Sequence, residues 1–362
     1  MSDVSTNVVL MPTTAKDVAD AVCAAIAQGA KLSTSRDDAD DDSTVRRVDL
    51  SNMAAVVDYP ARDMTITVQG GLRVSELAAI LAVEKQQLPL DCSDNTLTVA
   101  ALVAGNTAGP RQFGYGTARD YLIGVEAVDG QGRIFHAGGR VVKNVAGYDL
   151  CRLLVGSRGS LGILTQLTFK LKPLPEHSLG IAFAFRDVDR LEATLNRLNT
   201  TAAAPVILDI AASPDDHTFV LRLAVEGTQE ACQWQAEQLS TDCSEGSIVA
   251  FGDEAQGSVR DYCQNPASGW TDGAIRIQTL PSRVVTIARA LNNAGCRVHG
   301  HAGNGILYVT GNPQQLRVDC EQLVAKYSGN VTDWQTDHPG KSTDALSVRL
   351  RRAFDPHSVF AK

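Results

Sequence analysis

Thirteen of the chain's 30 glycines lie between positions 101 and 165. An ordered segment this rich in glycine is built from tight turns, or from backbone pressed against something that a side chain would displace. With aromatic residues at only 5%, this points to a turn-rich α/β chain rather than a helical bundle. The chain's 362 residues predict two domains. Its formal net charge of −8 excludes a general nucleic-acid binder, which needs a basic face. No apolar run, Leu179 to Phe185 included, comes near the ~20 residues of a membrane span. The start, Met1-Ser2-Asp3, has no basic or apolar leader, so no signal peptide is expected. The eight cysteines form no C-x-x-C pair, so scattered reduced thiols are expected rather than zinc or iron–sulfur ligands.

Periodicity predicts strand, helix, strand at the start. Val8 to Met11 is apolar, Thr13 or Thr14 can cap a helix carrying Val18, Val22 and Ile26, and Gly29 can end it before a strand at Lys31 to Thr34. The acidic run Arg36 to Ser43 reads as a solvated loop. Met64, Ile66 and Val68 alternate with polar neighbours up to Gly70-Gly71, and a helix carrying Val74, Leu77, Ala78 and Leu81 follows. Ile123 to Val128 and Arg133 to His136 flank Asp129-Gly130, a hairpin signal. Leu161 to Leu171 is a closing strand, and Pro173 and Pro175 mark a boundary. Beyond it, two βαββαβ-like sets run from Ile181 to Leu239 and from Ala274 to Trp334. They imply an antiparallel sheet with helices on one face, and a last helix spans Ser342 to Phe354.

Three glycine-bearing clusters could carry chemistry. Thr98 can cap a short helix of small residues running to Gly105, Asn106, Thr107 and Gly109. The free N–H groups at its start suit a phosphate or an electron-rich ring edge, and tight packing against a sheet explains the same residues. Lys143-Asn144-Val145-Ala146-Gly147-Tyr148 lies in a stretch, 140–172, with six basic residues against the one acid Asp149. Such a local reversal of charge can hold a pyrophosphate or can simply be a solvated face. Gly156 to Thr165 is a glycine turn feeding a strand, with Gly159, Gly162 and Ile163 placed to read a ligand edge through the backbone. No G-x-G-x-x-G follows the first strand, and no Walker A, G-x-S-x-G or H-E-x-x-H motif occurs.

The order of these segments resembles the FAD-binding family of vanillyl-alcohol oxidase and p-cresol methylhydroxylase. The resemblance rests on Leu50 to Met53, Gln69-Gly70-Gly71, Leu88 to Asp91, Thr98 to Gly109, Arg119-Asp120 and Gly156 to Thr165. Within that family, Gly109-Pro110-Arg111, Tyr115-Gly116-Thr117 and above all Lys143 to Leu150 resemble the FAD-binding E subunit of bacterial glycolate oxidase. The resemblance is thin over 176–290 and returns at His299 to Tyr308 and Phe354 to Phe360.

The resemblance implies an α+β chain: a p-cresol methylhydroxylase-type FAD-binding domain of two α+β subdomains over 1–175, an α+β FAD-linked-oxidase domain over 176–340, and a C-terminal helix and tail over 341–362. It implies non-covalent FAD bound by Thr98, Gly105, Asn106, Thr107, Gly109, Lys143, Asn144, Gly147, Tyr148, Gly159, Gly162 and Ile163. It also implies a small 2-hydroxy-acid substrate, with a D-type flavoprotein subunit and an iron–sulfur subunit as partners. The location would be cytoplasmic, or peripheral at the inner face of the membrane through those partners.

Two departures stand out. Where relatives carry a glycine-rich pyrophosphate loop, Ser33 to Ser43 has five aspartates and no glycine. Each close approach of an aspartate to a phosphate costs on the order of 1 kcal/mol even in water. Where catalytic relatives carry a second histidine, Tyr308 stands here. His301 is therefore the one weak catalytic candidate, read as a hydrogen-bonded residue of a turn rather than a metal ligand.

Overall fold

The structure is a computed structural model that describes residues 9–34, 45–92, 94–139, 149–215, 218–252, 262–263, 274–327, 329–333 and 345–361. The chain divides into two units. The first comprises 1–108, 117–174 and 342–362, and the second comprises 109–116 and 175–341. The division after Leu174 falls between the two prolines of the boundary segment.

In the first unit β1 (Val9–Leu10), α1 (Ala15–Gln28), β2 (Lys31–Ser33) and β3 (Val45–Val48) form a parallel sheet in the order β1-β3-β2. Thr14 caps α1 in a reciprocal box with Asp17, and Gly29, at φ 64°, ends it. The C-terminal segment extends this small sheet. Leu32 pairs in parallel with Phe360, and Ala361 N donates to Leu32 O at 2.8 Å. Asp355 shapes that segment, its carboxylate accepting the backbone N–H of Val359 (2.8 Å) and Phe360 (3.0 Å).

The second subdomain of this unit contains β4 (Val56–Asp58), β5 (Thr65–Gln69), α2 (Val74–Val83), β6 (Gln86–Gln87) and α3 (Val99–Gly105). It continues with β7 (Leu122–Val128), β8 (Ile134–Gly138), β9 (Ile163–Lys170) and β10 (Lys172–Pro173). Five strands pair antiparallel in the order β4-β5-β9-β7-β8. The alternation in β5 does not mark a wet face. Thr65 and Thr67 are buried with Ile66 and Val68, and the Thr67 and Thr168 hydroxyls share a hydrogen bond of 3.0 Å. The β7–β8 hairpin closes over residues 129–133 rather than over a two-residue turn. Asp129 makes the longer loop by accepting the N–H groups of Gln131 and Arg133.

The second unit contains β11 (His177–Phe185), α4 (Val188–Leu198), β12 (Ile207–Ala212), β13 (Phe219–Gly227), α5 (Gln229–Asp242) and β14 (Ser247–Gly252). It repeats the pattern with β15 (Ile275–Gln278), α6 (Val284–Asn293), β16 (Arg297–His301), β17 (Ile306–Thr310), α7 (Pro313–Ala325) and β18 (Asn330–Asp333). The eight strands form one antiparallel sheet, β14-β11-β13-β12-β16-β17-β15-β18. The strand order within the first set mirrors that within the second, so the two sets meet where their second strands, β12 and β16, pair. Residues from all four helices share one apolar core with Leu208, Ile210, Leu221, Leu223, Val298, Leu307 and Val309. Because side chains alternate along a strand, Asp209, Arg222, His299, His301 and Tyr308 lie on the opposite face.

Candidate functional site

The first unit holds a cavity of about 390 Å³, within the usual size range of small-molecule sites. Three stretches of chain line it: Thr34 with Arg47 to Leu50, Asp94 to Ala104, and Gly159 to Leu164. Thr98 sits at its edge as the N-cap of α3, its hydroxyl accepting from Ala101 N at 3.3 Å. Of the residues expected at a cofactor, Thr98, Gly159, Gly162 and Ile163 line this cavity.

Gly105, Asn106 and Thr107 lie just past it at the end of α3, where Asn106 caps the helix at φ 51°. Among the described residues, two polar atoms near this helix end are buried without a hydrogen-bond partner: Asn106 Oδ1 and Ser157 Oγ. The N–H of Gly156 donates to Val103 O, which brings the Ser157 turn against the C-terminal end of α3. Buried orphan atoms of this kind fit a ligand that supplies the missing partners. Gly109 belongs to the short segment that clusters with the second unit. Lys143, Asn144, Gly147, Tyr148 and the acidic run 36–43 lie outside the described residues.

Sequence reasoning missed Arg47 and Asp49 on the cavity wall. They form an ion pair of 2.8 Å, each side chain 27% exposed. Burial works to raise the Asp49 carboxyl, but hydrogen bonds from Ser51 and Arg47 outweigh it and hold the group below its usual value. Their signal was a polar pair just ahead of the Leu50 to Met53 stretch.

A second cluster occupies the polar face of the sheet in the second unit. The pairing of β12 with β16 sets Asp209 opposite His301. Asp209 Oδ1 is 2.9 Å from His301 Nδ1, and Tyr262 OH donates to Asp209 Oδ2 at 2.6 Å. The same hydroxyl lies within hydrogen-bonding distance of His299 Nε2. Asp209 is 0%, His301 1% and His299 4% exposed. Tyr308, opposite His299 on β17, stacks its ring on that imidazole at 6.3 Å. The Arg222 guanidinium lies 5.6 Å from the Tyr262 ring centroid.

Burial alone would raise the Asp209 carboxyl, but its interactions with His301 and His299 outweigh it and hold the group ionised. Burial pushes His299 below its usual value, so it is neutral. Burial, reinforced by the Asp209 charge, pushes the Tyr262 phenol well up, so it keeps its proton.

His301 is therefore not a lone residue of a turn, as the sequence suggested. It ends a strand and belongs to a four-residue network. Asp209 had a sequence signal that went unread: an acid within the apolar run Ile207-Leu208-Asp209-Ile210. The expected motif Gly109 to Gly116 packs in this unit too. Glu226 on β13 accepts from Tyr115 OH at 2.6 Å and pairs with Arg111 at 3.5 Å.

Residues 6–138 match the family described as FAD binding domain. The chain carries an FAD-binding domain. This flavoprotein is 30% identical over 292 residues to glycolate oxidase subunit GlcD of Bacillus subtilis, covering 72% of this chain and 62% of that protein. It is 36% identical over 140 residues to glycolate oxidase subunit GlcE of Escherichia coli, covering 38% of this chain and 40% of that protein. The chain thus spans less than two thirds of the length of either relative. Among solved structures, an alkyldihydroxyacetonephosphate synthase shares the fold, with a TM-score of 0.72 at 15% identity, over 97% of this chain and 75% of that one. Among the described residues no helix is long and apolar enough to cross a membrane.

Proposed function

We propose that this flavoprotein is the FAD-binding subunit of a glycolate oxidase (dehydrogenase) complex that oxidises a small 2-hydroxy acid to the 2-oxo acid. The observation that carries the reading is the similarity to a glycolate oxidase subunit over 72% of the chain, well beyond the FAD-binding domain itself. FAD, bound non-covalently, would supply the acceptor for the hydride of the substrate carbon. Thr98, Gly159, Gly162 and Ile163 would border it, and Asn106 Oδ1 and Ser157 Oγ would gain the partners they lack. Lys143, Asn144, Gly147 and Tyr148 join them by resemblance alone.

His301 is the candidate base for the substrate hydroxyl, and Asp209 holds it. A D-type flavoprotein subunit and an iron–sulfur subunit would complete the complex, the latter taking electrons onward. This chain's six buried cysteines are spread over both units and supply no cluster motif. The buried Asp209–His301 pair favours a second reading, a stand-alone FAD-linked oxidase of another hydroxy acid that needs neither partner.

The test is anaerobic mixing of the FAD-loaded chain with glycolate and D-lactate, with and without the two partners. Bleaching of the flavin absorption only when the partners are present supports the subunit reading. Bleaching by the chain alone supports the second. No bleaching under either condition refutes the 2-hydroxy-acid assignment.

A further inference from the structure

The two halves of the second unit meet at the β12–β16 pairing, and the buried network sits on that seam. The hydrogen bonds described around Asp209 fix their own donors. An ionised carboxylate only accepts, so both of its close neighbours must donate to it. The Tyr262 hydroxyl has a single hydrogen, and the 2.6 Å contact to Asp209 Oδ2 uses it. The close approach of His299 Nε2 to the same oxygen must then be an N–H donating to the phenol oxygen. On the other side, the 2.9 Å contact of His301 Nδ1 to Asp209 Oδ1 requires a proton on that ring nitrogen. One buried carboxylate thus dictates opposite tautomers for two histidines that are two residues apart.

We propose that Asp209 is a positioning residue that fixes His301 as the Nδ1–H tautomer, leaving Nε2 the proton acceptor, and acts through Tyr262 to fix His299 as the Nε2–H tautomer. The catalytic use of His301 Nε2 rests on the 2-hydroxy-acid reading above; the tautomer assignment does not. The geometry supports a designed arrangement. The ladder places Asp209 directly across from His301, the Tyr308 ring packs edge-on to His301 at 5.6 Å, and Tyr308 stacks on His299. Both imidazoles thus neighbour the Tyr308 ring. A carboxylate that orients an imidazole also raises the basicity of its far nitrogen. An Asn in its place offers one acceptor and one donor where two acceptors are needed, which forces one of the two contacts to reverse.

The experiment is long-range ¹H–¹⁵N NMR on the full FAD-loaded chain labelled at its histidine nitrogens. The two signals are assigned with His299→Gln and His301→Gln. In the wild-type protein at mildly alkaline pH, His301 should report Nδ1–H and His299 Nε2–H. Asp209→Asn should switch the tautomer of at least one of them. It should also lower the rate of flavin bleaching by the best 2-hydroxy acid on the order of 100-fold, with FAD content unchanged. Tyr262→Phe leaves the His301 contact in place, so it should keep the His301 tautomer and release only His299. It serves as the second variant should Asp209→Asn not fold.

A wild-type His301 carrying its proton on Nε2, or on both nitrogens at that pH, overturns the proposal. So does a folded Asp209→Asn chain in which both tautomers are unchanged. If the tautomers are as expected but no 2-hydroxy acid bleaches the wild-type flavin, with or without the two partner subunits, the positioning role stands and the functional reading falls.

Discussion

Gly159 and Gly162 both line the cavity, yet a methyl group would meet different things at the two positions. At Gly162 (φ +156°) a Cβ would lie 2.8 Å from the carbonyl oxygen of Val128, in the β7 strand that pairs with Ile163. That oxygen is backbone inside a five-stranded sheet and has little freedom to retreat. At Gly159 (φ +74°) the nearest atom to a Cβ is Thr34 Oγ1, at an ordinary 3.4 Å, on the cavity wall. Gly159→Ala therefore carries only the left-handed backbone penalty, about 1 kcal/mol. Gly162→Ala carries a comparable strain plus an overpacking term of about 1–3 kcal/mol, so about 2–4 kcal/mol in all.

At roughly 2–4 °C per kcal/mol for a unit of this size, apo Gly162→Ala should melt about 5–15 °C low and apo Gly159→Ala only a few degrees low. Differential scanning calorimetry of apo protein, with FAD titrated by fluorescence quenching, measures both properties. The alanine at 159 should weaken FAD binding by more than its small stability loss explains. The sequence pattern suggested that bulk at Gly162 would strike cofactor rather than protein, and the Val128 carbonyl reverses that expectation. An apo Gly162→Ala chain that melts like wild type but no longer takes up FAD would refute the packing argument.

Three further outcomes follow from the geometry. Removing the unpartnered hydroxyl with Ser157→Ala should leave apo stability unchanged or slightly higher while FAD affinity falls about 5- to 10-fold, read by the same titration. Asp355→Ala strips two backbone donors of their acceptor at the C-terminal segment and should destabilise the chain by about 2–4 kcal/mol, read by urea unfolding. The third concerns pH. His299 and Asp209 are both depressed in the folded state, so each contributes stability that is complete above its unfolded value and lost as pH falls. Unfolding free energy should therefore decline in two stages, the first beginning below about pH 6.5 from His299 and the second below about pH 4 from Asp209. His299→Gln should remove the first stage and shrink the second, as measured by urea midpoints across pH.

Much of the fold was legible because local chemistry and tertiary structure agree. Thr14, one of the two candidate caps, and Gly29 bracket α1 in the structure as the sequence suggested, and Thr98 caps α3 as its hydroxyl suggested. The second βαββαβ set, and the first as far as its second helix, were readable from alternation and helical period alone. Strands β3 and β14 were not. Val45-Arg46-Arg47-Val48 gains its strand character from two parallel neighbours, and Ser247 to Gly252 gains its own from pairing with β11 at a sheet edge. Ile248 and Val249 are 54% and 55% exposed there, so no buried face left a pattern to read.

The site was legible in part, for a similar reason. The glycine turns announce themselves locally, whereas the Asp209–His301 contact joins residues 92 positions apart and Tyr262 comes from a stretch without period. The register of two strands brings Asp209 to His301, and Tyr262 joins them from outside the sheet.

This chain is expected to hold FAD without a covalent bond. The absorption spectrum of the purified chain, recorded before and after acid precipitation, tests it most directly. A flavin spectrum in the native protein that passes wholly into the acid supernatant is the expected result. A colourless chain that takes up no added FAD would contradict the claim, and colour held in the pellet would contradict its non-covalent part.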